Sequence, residues 1–330
     1  MTRSTIGLFL TLALSLLVAP LAAEAQPPTH VHRIGWLGAG TTPRASFLEA
    51  FLEEMRALGY VEGQHLVMEH RGAEGQYERF PALAAELVRL PVDALLVPNT
   101  PAALAAKQAT STIPIVMVGV GDPLGSGLVA SLARPGGNIT GLSGLHPERV
   151  GKQLEILKAV LPSVSRVAVL WNPANPVAAL AVRAAEEAAQ ALGVELHLVE
   201  ARGPDAFDRA FAAMTRAHAG ALLVVTDPLF TGHHSRLAEL AVTSRLPTMH
   251  SIQCRAFVEA GGLLCYGPSL LDRWRRAATY VDKILKGAKP GDLLMEQPTK
   301  FELIINLKTA DALGLTIPPI VLFQATEIIR

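Results

Sequence analysis

The sequence predicts an α/β protein of two similar doubly wound parallel-sheet lobes, joined by a three-stranded hinge and enclosing a cleft. Three observations predict it. A long unit occurs twice: Arg33-Ile34-Gly35-Trp36-Leu37 opens a series that reaches Ala94-Leu95-Leu96-Val97. Roughly 130 residues later Arg166-Val167-Ala168-Val169-Leu170 opens a matching series that reaches Ala221-Leu222-Leu223-Val224. A period this long marks duplicated domains, not a solenoid. Short apolar runs alternate with helical stretches throughout, the signature of βαβ units and parallel sheets. Finally, 330 residues are enough for two ordinary domains, each with its own core.

The elements follow in order. Runs such as Ile113-Pro-Ile-Val-Met-Val118, Val167-Ala-Val-Leu170 and Ala221-Leu-Leu-Val-Val225 are too short for membrane spans and bounded by turn residues, so they read as strands covered on both faces. Stretches rich in Ala, Leu, Glu and Arg predict helices at Ala45 to Leu58, Phe80 to Leu90, Pro101 to Ala109, Val177 to Leu192 and Ser235 to Ser244. The repeat extends into the following turns, where Pro98-Asn99-Thr100-Pro101 matches Val225-Thr226-Asp227-Pro228. Beyond Arg255 it fades. Gly262 to Tyr266 reads as a strand, Leu270 to Lys286 as an amphipathic helix, Gly287 to Gly291 as a break, Phe301 to Asn306 as a last strand and Leu307 to Leu313 as a helix. These pieces have no partner in the duplication, so they are expected to cross between lobes and complete each sheet. The lobes are then residues 32–142 plus about 268–290, and 143–265 plus about 296–330.

Composition narrows the function classes. Formal net charge is zero, 18% of residues are charged and no Lys/Arg block stands out, so the electrostatic footprint of a nucleic-acid binder is missing. Residues 1–25 read as an export signal: Arg3 supplies charge, Ile6 to Val18 form a short apolar core, and Ala23 and Ala25 offer a cleavage site before Gln26. The apolar core is short for a membrane span of about 20 residues, and Pro20 interrupts its end, which disfavours an uncleaved anchor. No cysteine lies near the junction, so a lipidated N-terminus is not expected, and the mature chain is expected free in the periplasm. Cys254 and Cys265 carry no metal-ligand pattern. Two buried thiols are the simpler reading, and a bridge closing a short loop is the alternative that an oxidising compartment permits.

In open parallel sheets, ligands sit outside the carboxyl ends of the strands, where helix N-termini present free N–H groups. That rule selects Gly40, Thr41, Asn99, Thr100 and Asp122 from the first lobe, and Trp171, Asn172, Asn175, Asp227 and Ser251 from the second. Tyr266 joins them as an aromatic at a strand end. Thr100-Pro101 and Asp227-Pro228 each read as a cap before a Pro at the first helical position. Matched caps facing one cleft would suit a zwitterion, its carboxylate at Thr100 and its ammonium at Asp122 or Asp227. Enzyme signatures are weak. Gly119-Val-Gly121-Asp-Pro-Leu-Gly125 has its third glycine one position late for a dinucleotide loop, and Gly141-Leu-Ser143-Gly144 lacks a spacer of a nucleophile elbow. Adjacent His233 and His234 diverge on a helix and make no zinc site; a solvated helix face accounts for them. No cofactor, metal or catalytic residue is expected.

Several longer strings resemble a known family: Leu58-Gly-Tyr-Val-Glu-Gly63, Thr100-Pro-Ala-Ala-Leu-Ala-Ala-Lys107, Gly121-Asp-Pro-Leu-Gly-Ser-Gly127, Ala133-Arg-Pro-Gly-Gly-Asn-Ile-Thr-Gly141 and Thr299-Lys-Phe-Glu-Leu303. They are similar to the substrate-binding proteins of ABC-type importers, in the group that includes tryptophan-binding members. The resemblance covers nearly the whole mature chain. It implies a type I periplasmic binding fold with a ligand trapped by closure between lobes, a monomer that docks to a permease in the inner membrane, and no chemistry. An amino acid, aromatic or branched, is the first ligand expected, and a purine or other small heterocycle the second. The alternative is a ligand-sensing periplasmic module that reports to a membrane receptor.

Overall fold

The computed structural model describes residues 30–40, 46–144, 146–252 and 254–330. The export signal and Thr41 lie outside them. Five strands build the first sheet: β1 (His32–Gly38), β2 (Leu66–Gly72), β3 (Ala94–Val97), β4 (Ile115–Val120) and β5 (Ile139–Ser143), in the order β2-β1-β3-β4-β5, all parallel. Between them run α1 (Ser46–Ala57), a single 3₁₀ turn at Tyr77–Arg79 that leads into α2 (Phe80–Arg89), and α3 (Thr100–Ala109). The period of two along each strand decides which layer is buried where. Ala94 and Leu96 pack among Phe51, Trp274 and Ala277, while Leu95 and Val97 pack against Phe80, Leu83 and Ala106 on the other face.

The second sheet repeats that winding. After α4 (His146–Val160) come β6 (Arg166–Trp171), α5 (Ala178–Leu192), β7 (Glu195–Glu200), α6 (Phe207–Arg216), β8 (Ala221–Val224), α7 (Pro228–Gly232), α8 (His234–Thr243), β9 (Thr248–His250), α9 (Cys254–Glu259) and β10 (Leu264–Pro268). These strands lie in the order β7-β6-β8-β9-β10, which is the first sheet's order shifted by five. The alternation is preserved too. Ala221 and Leu223 face Leu157 and Ala181, and Leu222 and Val224 face Phe207 and Leu237. Then α10 (Leu270–Leu285), β11 (Phe301–Asn306), α11 (Leu307–Leu313), α12 (Pro319–Gln324) and β12 (Glu327–Ile329) finish the chain. Strand β11 runs antiparallel to β10 and parallel to β12, making seven strands.

The chain crosses between the sheets three times: at Gly144 after β5, at Ser269 after β10, and over residues 297–300 before β11. Backbone bonds tie the crossings. The N–H of Ser143 donates to the Glu296 carbonyl, and that of Ser269 to the Lys300 carbonyl. Two expectations change here. The repeat does not stop at Arg255: β10 occupies the place of β5, and α10 the place of α4. Each of these two helices follows the fifth strand of one sheet but packs on the other, with α10 lying against α1, β4 and β5. Sequence self-similarity had faded while the topology persisted, because exchanged helices adapt to a different sheet. Nor do the late strands complete both sheets. All of β10 to β12 join the second, and among the described residues the first gains an isolated bridge from Leu142 to Glu296 but no further strand.

Cys254 and Cys265 form a disulfide, with Cα atoms 5.1 Å apart. The βαβ connection from β9 through α9 returns the chain beside its start, which the linear spacing did not show. Closing so short a loop is worth about 3 kcal/mol in the chain-entropy model.

Candidate functional site

The carboxyl ends of both sheets meet at one cavity of about 420 Å³. Ala39 and Gly40 reach it after β1, and Pro98, Asn99 and Thr100 after β3, on either side of the point where the first sheet's strand order reverses. From the second sheet come Thr226, Asp227 and Pro228 after β8, and Asn175 from the turn after β6. Such reversals leave a crevice because the flanking helices lie on opposite faces.

Five of the residues selected from sequence therefore line the cavity: Gly40, Asn99, Thr100, Asn175 and Asp227. Asn172 and Ser251 stand behind it. Asn172 Nδ2 donates to Asp227 Oδ1 at 3.2 Å, and the Ser251 hydroxyl bonds that of Thr226. Three others lie elsewhere. Asp122 folds back on its own turn, accepting from the Gly125 N–H at 2.8 Å. Trp171 shares the strand face of Val167 and Val169 and packs with the layer of α4 and α5. Tyr266 stacks on Phe301 with ring centroids 5.7 Å apart. The expected caps are also offset. Asp227 caps α7, accepting from the Leu229 N–H at 2.9 Å, but the cap of α3 is Asn99, which accepts from the Ala102 N–H at 2.9 Å, and Thr100 is already helical.

Asp227 is the polar centre of the site. It is 1% exposed, and its carboxylate accepts from Tyr77 Oη (2.5 Å), Asn172 Nδ2, Asn175 Nδ2 (2.9 Å) and the Leu229 N–H. Burial raises its pKa, and those four donors oppose the rise. Tyr77 comes from the first lobe, so this bond joins the lobes directly. Burial above all, and the neighbouring carboxylate, keep the Tyr77 phenol protonated.

The apolar wall was not foreseen. It consists of Trp36 on β1, Phe47 on α1, and Leu270 and Trp274 on α10, with Phe47 and Trp274 at 4.8 Å between centroids. Nothing in the linear pattern separated Phe47 and Trp274 from ordinary core aromatics, and only the crossing at Ser269 carries Trp274 to this lobe. Beside them Arg273 is 5% exposed. Its Nε and Nη1 have no hydrogen-bond partner among the described residues, and burial lowers its pKa to about 10, so it remains charged at neutral pH. It lies against Gly119, which has φ +87° at a bulge in β4; a Cβ there would stand 2.7 Å from the guanidinium carbon. Gly119, the first glycine of the string that fell short of a dinucleotide loop, thus makes room for a cation. His234 also lines the cavity instead of facing solvent.

His250, fully buried and stacked on Phe257, has its pKa lowered to about 3, chiefly by burial and secondarily by His234 and Arg149. It is neutral when folded and titrates near 6.5 when unfolded. Its contribution is complete above pH 6.5 and is lost as pH falls from 6.5 towards 3, by up to about 1.4 kcal/mol per unit. Urea denaturation at pH 7.5 and 5.0 is expected to show a smaller loss in His250→Gln than in the parent. Equal losses in the two proteins would refute this.

Comparison with known proteins agrees with the fold. A family model described as ABC transporter substrate binding protein matches residues 44–329. The tyrosine-binding protein of Clostridioides difficile (strain R20291) is 26% identical over 267 residues, 81% of this chain and 76% of that one. The crystal structure of a conserved domain protein from Vibrio cholerae matches with TM-score 0.83 at 29% identity, covering 91% of this chain and 100% of that one. An ABC domain from Streptococcus pneumoniae in complex with L-Trp matches with TM-score 0.82 at 26% identity, over the same shares. With two doubly wound lobes, three crossings and a cavity at both switch points, this chain belongs to the family of ABC transporter substrate-binding proteins.

Proposed function

We propose that the protein is the periplasmic solute receptor of an ABC importer and closes over an amino acid with an aromatic side chain. The carrying observation is the cavity itself, which is lined by the aromatic residues Trp36, Phe47 and Trp274 together with the polar residues Asn99, Thr100, Asn175 and Asp227. A volume of about 420 Å³ falls in the usual range for small-ligand sites, and flat apolar walls suit a ring. The tyrosine-binding and L-Trp-bound relatives support the same class. Export by the N-terminal segment, a monomeric receptor and docking to a membrane permease complete the reading. The protein performs no chemistry on what it binds.

Calorimetric titration of refolded protein tests the proposal. L-tryptophan, L-tyrosine or L-phenylalanine is expected to bind with a dissociation constant on the order of micromolar, about 8 kcal/mol of binding free energy. At a thousandfold excess over that constant the ligand adds about 4 kcal/mol of stability. Binding of a purine with no response to any amino acid would overturn the ligand class.

A further inference from the structure

Two helices in equivalent topological places carry buried arginines with opposite fates. Arg149 and Arg273 are each the fourth residue of a helix, α4 and α10, that crosses from one sheet to pack on the other. They are 4% and 5% exposed. Arg149 is paired: Nη1 donates to the Gly144 carbonyl at 2.7 Å, and Nη2 to Thr226 Oγ1 at 2.9 Å. Thr226 follows β8. The residue matching it after β3 is Asn99, whose Oδ1 already accepts from the Ala102 N–H. No hydrogen bond from Arg273 to Asn99 takes the place of the bond from Arg149 to Thr226. Its Nε and Nη1 have no hydrogen-bond partner among the described residues, and the nearest acidic influence, Glu302, forms no ion pair with it.

A guanidinium taken out of water without a counter-ion is unfavourable, and its planar fork fits a carboxylate with two parallel bonds. Asp227 cannot serve. It lines the same cavity, but its lone pairs are committed to Tyr77, Asn172, Asn175 and Leu229. That commitment also limits what Asp227 can offer an ammonium group. Trp36 also lines the cavity, and its buried indole N–H likewise has no acceptor among the described residues.

We propose that Arg273 binds the carboxylate of the ligand, so that the site selects for an aromatic carboxylate and depends on the carboxylate far more than on the ammonium. The proposal rests on the amino-acid reading above and deepens it. Asp227 is then the clamp between lobes, and the charge that recognises ligand sits on α10.

Calorimetric titration with paired probes tests it: L-tryptophan, L-tyrosine and L-leucine, each beside its carboxamide, together with indole-3-propionate, which lacks the ammonium. The parent protein is expected to prefer the aromatic acids over their amides by about 100-fold, the scale of losing a buried charge-assisted pair. It should bind indole-3-propionate within about 10-fold of L-tryptophan. Arg273→Met should shrink the acid-to-amide ratio to below about 5-fold, and Arg273→Lys, which keeps the charge but not the fork, should fall between. Melting temperatures of both variants show whether they are folded; if neither folds, the parent's acid-to-amide ratio decides. Amides binding as tightly as acids, or a 100-fold preference that survives in folded Arg273→Met, would overturn the role of Arg273 while leaving amino-acid binding intact. Preference for an acid in the leucine pair alone would sink the aromatic reading and keep Arg273. Binding of none of the probes would remove both.

Discussion

Asp227→Ala is expected to lower stability by about 3 kcal/mol and to weaken ligand binding by about 100-fold. The substitution deletes the acceptor of four donors at once: Tyr77 Oη, two Asn amides and the Leu229 N–H. Buried donors left unpaired cost about 1–3 kcal/mol each, partly relieved because a buried carboxylate is also removed. The cap of α7 goes too, which is typically worth about 1 kcal/mol. Tyr77→Phe separates the two roles of the residue. It deletes only the bond between lobes, leaves the cap and both Asn contacts, and should cost about 1 kcal/mol with a loss of affinity on the order of 10-fold. Urea denaturation and calorimetric titration measure both. If Asp227→Ala proves no more damaging than Tyr77→Phe, Asp227 is not the node that the geometry makes it.

Gly141→Ala is expected to be strongly destabilising, at about 4 kcal/mol or more. Gly141 on β5 has φ +124°, which side chains with a Cβ rarely adopt, and its neighbours are backbone. A Cβ there would stand 2.6 Å from the Met117 nitrogen and closer still to the Met117 oxygen. Backbone in a parallel sheet cannot swing aside as a flexible side chain does. Gly136→Ala is the control. It shares a positive φ, +71°, but nothing lies within 4 Å of its added Cβ, so it should cost only about 1 kcal/mol. Equal melting temperatures for the two variants would show that the close approach at Met117 relaxes freely. Gly141 was legible in sequence only as part of a Gly-rich string; the neighbouring strand supplies its reason.

The contrast between what was legible and what was not has a common cause. Residues that the carboxyl-end rule selected, such as Asn99, Thr100, Asn175 and Asp227, reach the cavity because parallel winding sends every strand end to the same edge. Asp122 sits at such an end yet turns into its own loop, and Trp171 follows the strand period to the wrong face for the cavity. Tyr77 was invisible because its partner lies 150 residues away in the other lobe. His234 read as a solvated pair with His233, but a short turn at α7 brings it to the cavity edge.

By itself the sequence determined the repeated winding and the strands covered on both faces, because these follow from local periodicity and from the alternation of strand and helix. Only the tertiary structure decided that α4 and α10 trade places between lobes, that Cys254 meets Cys265, and that Trp36, Phe47, Arg273 and Trp274 form one wall. Those outcomes depend on contacts between residues far apart in the chain. An aromatic or an arginine on an amphipathic helix has the same local signature whether it fills a core or faces a ligand. What distinguishes Arg273 from Arg149 is whether acceptors from other elements lie within reach of its guanidinium, and that is a property of the fold.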